Sequence, residues 1–334
     1  MSLSIIIVNY KSAPFIIDCL QSAVKFSSYQ NFEWIIVDNN SNDNSKENIM
    51  GKFPFIKWID MAYNAGFSRA NNAGIKIATG NAVLLLNPDT LIVDDAIEKC
   101  YNQFIKSHYV ACGVQMLNPD NTTQISGSNF MKGGINHLLP LPYLGSFLKI
   151  IAKGMKVSKP SIEVASNEEI VQWISGAFLM VKKEAIEKIG MMDEDFFLYA
   201  EEIEWCSRLN TVGKLCVYGQ YHIIHILGEV IVSAADSKDK SYQNLFDKKG
   251  LQLIVSNHLR IKKQYGYFWF FVQLIAYTIE VPIFFIGLLI DNIVHLRNPF
   301  KNFTLFTGYT NNVISVWKLL PKFMSNKSYF FKVF

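Results

Sequence analysis

"LLLNPDTLIVDD", residues 84–95, is a run of leucines that stops on Asn87-Pro88-Asp89. An apolar run bounded by turn residues reads as a strand buried on both faces, the kind found inside a parallel sheet. Asn-Pro-Asp alone is a turn, because proline sets φ and Asn and Asp favour turns. In an open α/β sheet, however, ligands bind at the carboxyl ends of the strands, and Asp89 stands at such an end. The flanking sequence decides between these readings.

Outward from that strand, residues 1 to about 230 alternate strand-like runs with amphipathic stretches: "SIIIVNY", "PFIIDCLQSAVKF", "FEWIIVDNN", "FIKWIDM", "GFSRANNAGIKIATG", "AVLLLNPD" and "DAIEKCYNQFIKS". This rhythm predicts an α/β domain, a mostly parallel sheet flanked by helices. Residues 133–170, with "GGINHLLPLPYLGSF", are less regular and read as a long excursion over the sheet. A strand "QWISGAFLMV" and a helix "KKEAIEKIG" closed by Gly190 follow. Residues 231–266 read as a connecting helical segment, and 267–334 as a hydrophobic and basic C-terminal region.

Composition excludes several classes. Lys and Arg total 32 against 28 Asp and Glu, a net charge of +4 without a basic block, so no nucleic-acid partner is expected. The five cysteines are scattered, with no Cys-x-x-Cys, which argues against a disulfide framework or a zinc site and suits a reducing compartment. The chain opens on a strand pattern, and no signal peptide is expected.

Polar groups collect at the strand ends. One strand ends at Val8-Asn9-Tyr10, the next delivers Asp38 and Asn40, and the leucine strand delivers Asn87 and Asp89. A carboxylate accepts hydrogen bonds from a nucleobase edge, and a second one is a hard oxygen ligand for Mg²⁺ or Mn²⁺. A nucleoside diphosphate needs both. Between them, Asn64, Gly66 and Asn71 precede and enter a helix whose small residues and amides suit an approaching phosphate or sugar.

Taken together, "SIIIVNYKS", "IIVDNNSND", "NAGFSRANNAGIKIATG", "LLLNPD", "WISGAFLMVKKEAIEKIGMMDEDFFLYAEEIEWCSRL" and "HILGE" resemble the bacterial inverting nucleotide-sugar glycosyltransferases of the GT-A fold. The resemblance covers residues 1 to about 265 and points to the rhamnosyltransferase-like branch of O-antigen and surface-glycan enzymes. It implies nucleotide-sugar contacts from Val8, Tyr10, Asp38, Asn40, Asn64, Gly66, Asn71 and Asn87. It implies Asp89, with His225 as a further candidate, holding Mg²⁺ or Mn²⁺. A histidine in "HIIHIL" is equally a satisfied core residue, and that reading stays open.

Three departures stand out. Asn87-Pro88-Asp89 replaces the family's frequent Asp-x-Asp. The arginine of the glycine-rich stretch is displaced to Arg69. The late Glu-Asp pair reads Glu201-Glu202. Gln-x-x-Arg-Trp, usual in processive synthases, is absent, so single-residue addition is expected. A polyprenyl-phosphate sugar synthase and a non-catalytic nucleotide-sugar-binding protein are the alternatives.

Helical geometry separates the carboxylates. A helix over 198–209 pairs Glu204 with Arg208 at i, i+4 and leaves Glu201 bordering that charged side, a second catalytic candidate that either stays solvated or helps orient the site. Glu202 then neighbours Leu198, Tyr199, Trp205 and Cys206, which predicts a desolvated general base with a raised pKa. A structural Glu202 held by backbone amides is the competing reading.

From Tyr267 to Ile290 the only charge is Glu280. This length could cross a ~30 Å hydrocarbon core, but Glu280 and Pro282 favour broken helices lying on or dipping into the membrane. The expected setting is the cytoplasmic face of a bacterial plasma membrane, near a lipid-linked polyprenyl diphosphate glycan acceptor. Buried core helices are the alternative.

Overall fold

A computed structural model of the chain describes residues 2–155, 160–226, 244–325 and 327–333. Packing divides it into two units. Met1–Asn129, Ser161–Phe197 and Glu201–Asp236 form the first; Phe130–Pro160, Leu198–Ala200 and Ser237–Phe334 form the second.

The strands are β1 (Leu3–Asn9), β2 (Glu33–Asp38), β3 (Lys57–Asp60), β4 (Ala82–Leu86), β5 (Thr90–Ile92), β6 (Ala111–Leu117), β7 (Thr123–Gln124), β8 (Gly127–Ser128), β9 (Ser161–Ile162), β10 (Glu169–Val171), β11 (Trp173–Ile174), β12 (Phe178–Lys182) and β13 (Leu215–His225). The main sheet runs β10-β13-β6-β12-β4-β1-β2-β3, with β5 on β13 and β7 on β6, while β11, β8 and β9 form a small second sheet. It is parallel from β4 through β1 and β2 to β3, as the β-α rhythm predicts. It is mixed beyond, because β12 lies antiparallel between β4 and β6. A short apolar run such as "FLMVK" carries no signal of direction.

The helices are α1 (Ala13–Ala23), α2 (Ser45–Met50), α3 (Gly66–Ile77), α4 (Ala96–Phe104), α5 (Leu144–Gly154), α6 (Lys183–Ile189), α7 (Glu201–Leu209), α8 (Lys248–Tyr265), α9 (Tyr267–Val294) and α10 (Phe303–Met324). Strand alternation builds two apolar layers in the first unit. Leu84 and Leu86 join Ile16, Leu20 and Phe104 on one face of the sheet. Leu85 joins Ile6, Ala70 and Trp205 on the other. The leucines at 84 and 85 are wholly buried, each contributing about 2 kcal/mol. This apolar burial holds the strand that carries Asp89.

The second unit overturns two expectations. Within residues 130–155 of this unit a short 3-10 helix (Lys132–Leu138) and α5 (Leu144–Gly154) replace the expected irregular excursion. Gln273 Nε2 donates to the carbonyls of Gly133 (3.3 Å) and Gly134 (2.9 Å), and α5 follows. Furthermore, α9 runs unbroken through Pro282. The proline ring sits at an exposed position, and Glu280 is turned inward, where its carboxylate accepts hydrogen bonds from Tyr143 N (2.8 Å) and Leu144 N (2.9 Å). A buried carboxylate held by two backbone donors does not break a helix. Among the described residues, α9 alone is long and apolar enough to cross a membrane, by length and composition.

Candidate active site

Parallel pairing brings the strand ends together. Asn9 lies opposite Asp38 in the β1–β2 register, and its Nδ2 donates to Asp38 Oδ1 at 2.6 Å and to Ser41 Oγ at 3.0 Å. Ser41 N reaches Asp38 Oδ2 at 3.1 Å. Asp38 is half-buried, and each carboxylate oxygen retains acceptor capacity beyond these bonds. Val8 and Tyr10 flank this point and are partly exposed. Lys11, Asn40 and Asn42 adopt left-handed φ of 55°, 67° and 53°, a concentration of unfavourable backbone of the kind that collects at ligand sites.

Asn39 ties this edge to α3. Its Oδ1 accepts from Ala65 N at 2.8 Å, and its Nδ2 donates to Asn64 Oδ1 at 3.1 Å. Gly66 N donates to Asn64 Oδ1, and Phe67 N to Phe197 O. The amides of Ala65, Gly66 and Phe67 at the start of α3 are therefore satisfied within the protein. Asn71 is buried, with Nδ2 donating to Phe67 O at 3.0 Å. Gly66 is required by geometry. Its φ is +76°, and a Cβ there would lie 2.2 Å from Phe197 O.

Beyond β4, Asn87 N donates to Ala177 O, and the chain turns at Pro88 into β5. Pairing of β5 with β13 sets His225 against Thr90, so that His225 Nε2 stands 3.4 Å from Asp89 Oδ1 and 3.5 Å from Asn87 Nδ2. Both Asp89 and His225 are buried. The ring is oriented by Gln124 of β7, a residue with no sequence signal. Gln124 Nε2 donates to Asn118 Oδ1 and to His225 O, each at 2.7 Å. Its Oε1 therefore faces His225 Nδ1, 3.0 Å away, and this assignment places the ring proton on Nδ1. The Nε2 lone pair is left facing the Asp89 carboxylate.

Two lone-pair donors 3.4 Å apart in a buried site fit a divalent cation. Cis ligands on an octahedral ion with bonds of about 2.1 Å are roughly 3 Å apart. Among the described residues no cluster of three or more His, Cys, Asp or Glu side chains surrounds an ion position, so these two groups and a diphosphate would share the coordination. The "HILGE" stretch continues from Leu227 outside the described residues.

The structure revises the carboxylates of α7. The helix begins at Glu201 rather than at 198, because Tyr199 and Ala200 take left-handed φ of 72° and 66°. Leu198 and Tyr199 are thus not helical neighbours of Glu202, and the apolar-face argument fails. Glu201 is the desolvated residue, 3% exposed. Burial first, and then the charge of Glu202, push its carboxyl well above the usual range. Glu202 is only partly buried. It lies against the turn before β12, where a Cβ on Gly176 would be 3.6 Å from Glu202 Cβ. Since Phe178 of β12 pairs with Leu86 of β4, that turn faces Asn87-Pro88-Asp89. Glu204 is held by Arg208 in a two-point contact of 2.8 and 2.9 Å, as the i, i+4 spacing predicts.

The sequence profile of glycosyl transferase family 2 matches residues 4–190, more than half of the chain. The low-salt glycan biosynthesis hexosyltransferase Agl10 of Haloferax volcanii is 31% identical over 228 residues, covering 66% of this chain and 66% of that protein. An N-acetylglucosaminyl-diphospho-decaprenol L-rhamnosyltransferase of Mycobacterium tuberculosis is 24% identical over 231 residues, covering 65% of this chain and 73% of its own. The chain spans 60% to 66% of the length of several curated relatives, less than two thirds. In fold it is similar to the mannosyltransferase PcManGT of Pyrobaculum calidifontis, solved with GDP-Man and Mn²⁺, with a TM-score of 0.51 at 12% identity over 95% of this chain and 87% of that one. With its GT-A architecture and this profile match, the chain belongs to glycosyl transferase family 2.

Proposed function

We propose that the protein is an inverting glycosyltransferase that moves a single hexose, rhamnose from a dTDP-sugar or else a sugar from a UDP donor, onto a lipid-linked polyprenyl diphosphate glycan at the cytoplasmic face of the membrane. The observation that carries this reading is the buried Asp89–His225 pair, with lone pairs facing across 3.4 Å at the carboxyl end of the central strand. The donor's base and ribose lie along Val8, Tyr10, Asp38 and Asn40, and its diphosphate beside Asn87 and Asp89, with Asn64, Gly66 and Asn71 shaping the wall rather than binding phosphate through free amides. The name of the mycobacterial relative supports a polyprenyl-linked acceptor, and the outward apolar residues of α9 support attachment to the membrane.

Asp89 and His225 would hold Mg²⁺ or Mn²⁺, which when bound offsets the charge that builds on the departing diphosphate. Gln124 keeps His225 Nε2 unprotonated for that purpose. Glu202 takes the proton of the acceptor hydroxyl as its oxygen attacks the anomeric carbon and the bond to the diphosphate breaks. The released nucleoside diphosphate and a protonated Glu202 complete the balance. Glu201 is buried beside it, where burial and the neighbouring Glu202 both disfavour its charged form.

A thermal-shift panel of nucleotide sugars with and without Mn²⁺ tests this reading. Stabilisation by one donor that depends on Mn²⁺ and is lost in Asp89→Asn is the expected result. Stabilisation by no nucleotide sugar would overturn it. A sugar monophospho-lipid product would instead assign the protein as a polyprenyl-phosphate sugar synthase.

A further inference from the structure

Helix α9 is apolar all round: it buries Phe270, Leu274, Tyr277, Phe284 and Leu288 and also turns large apolar side chains outward. Its buried positions include Gln273, Glu280 and Asn292, whose side chains bond to backbone groups of the same unit. Its exposed positions recur every three or four residues, at Phe268, Phe271, Ile275, Ile279, Pro282, Ile286 and Ile290. From Tyr267 to Ile290 none of its exposed residues is charged, and the one charged side chain reaching solvent, Asp291, stands in the last turn. A helix on the surface of a water-soluble protein carries charged and polar residues on its outer face.

Outward apolar residues recur on α5. Phe147, Ile150, Ile151 and Met155 are 58%, 70%, 40% and 70% exposed, and their spacing places them on one helix face. The only buried residue of α5 is Gly145. Lys149 and Lys153, one turn apart and also exposed, lie together on one side of the apolar stripe. The helix is fastened to the middle of α9, because Glu280 accepts the amides of Tyr143 and Leu144 at its start. The Tyr143 and Phe284 rings pack with centroids 5.9 Å apart.

We propose that α5 is a second membrane-contacting helix, lying in the headgroup–acyl boundary of an anionic bilayer. Its Phe147–Met155 face enters the acyl layer while Lys149 and Lys153 meet lipid phosphates. This rests on the membrane reading of α9. The charge pattern selects the occupant: an apolar stripe edged by lysines is the pattern of interfacial helices on anionic lipid. A second copy of the chain would leave those lysines without counter-charge.

The test uses the full chain and vesicles of phosphatidylglycerol and phosphatidylethanolamine. All five native cysteines are buried, so Ile150→Cys can carry an environment-sensitive fluorophore. The fluorophore should shift to the blue on these vesicles and be quenched by nitroxide-labelled lipid. The pair Ile150→Glu and Ile151→Glu should reduce vesicle flotation at least roughly tenfold, as should Ile279→Glu with Ile286→Glu on α9. If the α9 pair abolishes flotation while position 150 stays in water and the α5 pair floats normally, the α5 proposal is overturned and the reading of α9 stands. If neither pair changes flotation, the membrane reading fails with it. A blue shift without lipid that follows protein concentration would assign the face to self-association and also overturn the proposal.

Discussion

Exchanging the two adjacent carboxylates, one at a time, for their amides gives the sharpest test of the site. Glu202 lies partly exposed against the Gly176 turn, and as the general base it should account for a rate factor of about 10²–10⁴. At about 1.36 kcal/mol per decade, Glu202→Gln then raises the barrier by roughly 2.7–5.5 kcal/mol. Donor binding, which uses other side chains, should be unchanged by titration calorimetry. Glu201→Gln behaves differently. The Glu201 carboxyl is buried, its Oε2 has no hydrogen-bond partner, and burial together with Glu202 holds it neutral well above its ordinary value of 4.5. The amide keeps that neutrality, so turnover should stay within about threefold of the parent, far from the general-base range. Stability carries the sign of the shift. A carboxyl whose folded pKa is raised stabilises the fold fully below pH about 4.5, and this contribution is lost as pH climbs through the folded value. The melting temperature of Glu201→Gln should therefore gain on the parent as pH rises above 4.5. Release of nucleoside diphosphate measures turnover, and calorimetric scans across pH measure stability. An inactive Glu201→Gln beside a fully active Glu202→Gln would refute the assignment.

Other predictions follow from the Asp89–His225 pair and the packing. Asp89→Asn and His225→Ala should each abolish Mn²⁺-dependent thermal stabilisation by donor while leaving the circular dichroism spectrum unchanged. Gln124→Leu removes the partner of His225 Nδ1, and should weaken Mn²⁺ binding by about 10- to 100-fold, the usual effect of losing a group that orients a metal-ligating histidine; manganese EPR titration measures it, and unchanged affinity would remove Gln124 from the site. Gly66→Ala should lower stability in urea by more than about 1 kcal/mol, since it adds a Cβ 2.2 Å from Phe197 O in a left-handed backbone.

Local pattern made much of the first unit readable. The leucine strand, the β-α rhythm and the delivery of Asp38 and Asp89 to strand ends all follow from apolar periodicity and turn chemistry, which act over a few residues. The Glu204–Arg208 pair follows from the helical repeat. The sequence by itself thus determined the α/β class, the family and the edge where polar groups gather. Tertiary structure decided what those groups face. His225 meets Asp89 only because β5 pairs with β13, and Gln124 reaches the imidazole across 101 residues of chain. Two left-handed residues before α7 exchange the burial of Glu201 and Glu202, a backbone choice that no side-chain periodicity records. Glu280 looked like an obstacle within an apolar run, yet it is the acceptor that starts α5. Periodicity shows that a helix has an apolar face, but which way that face turns is set by partners distant in sequence, and on α5 it turns outward.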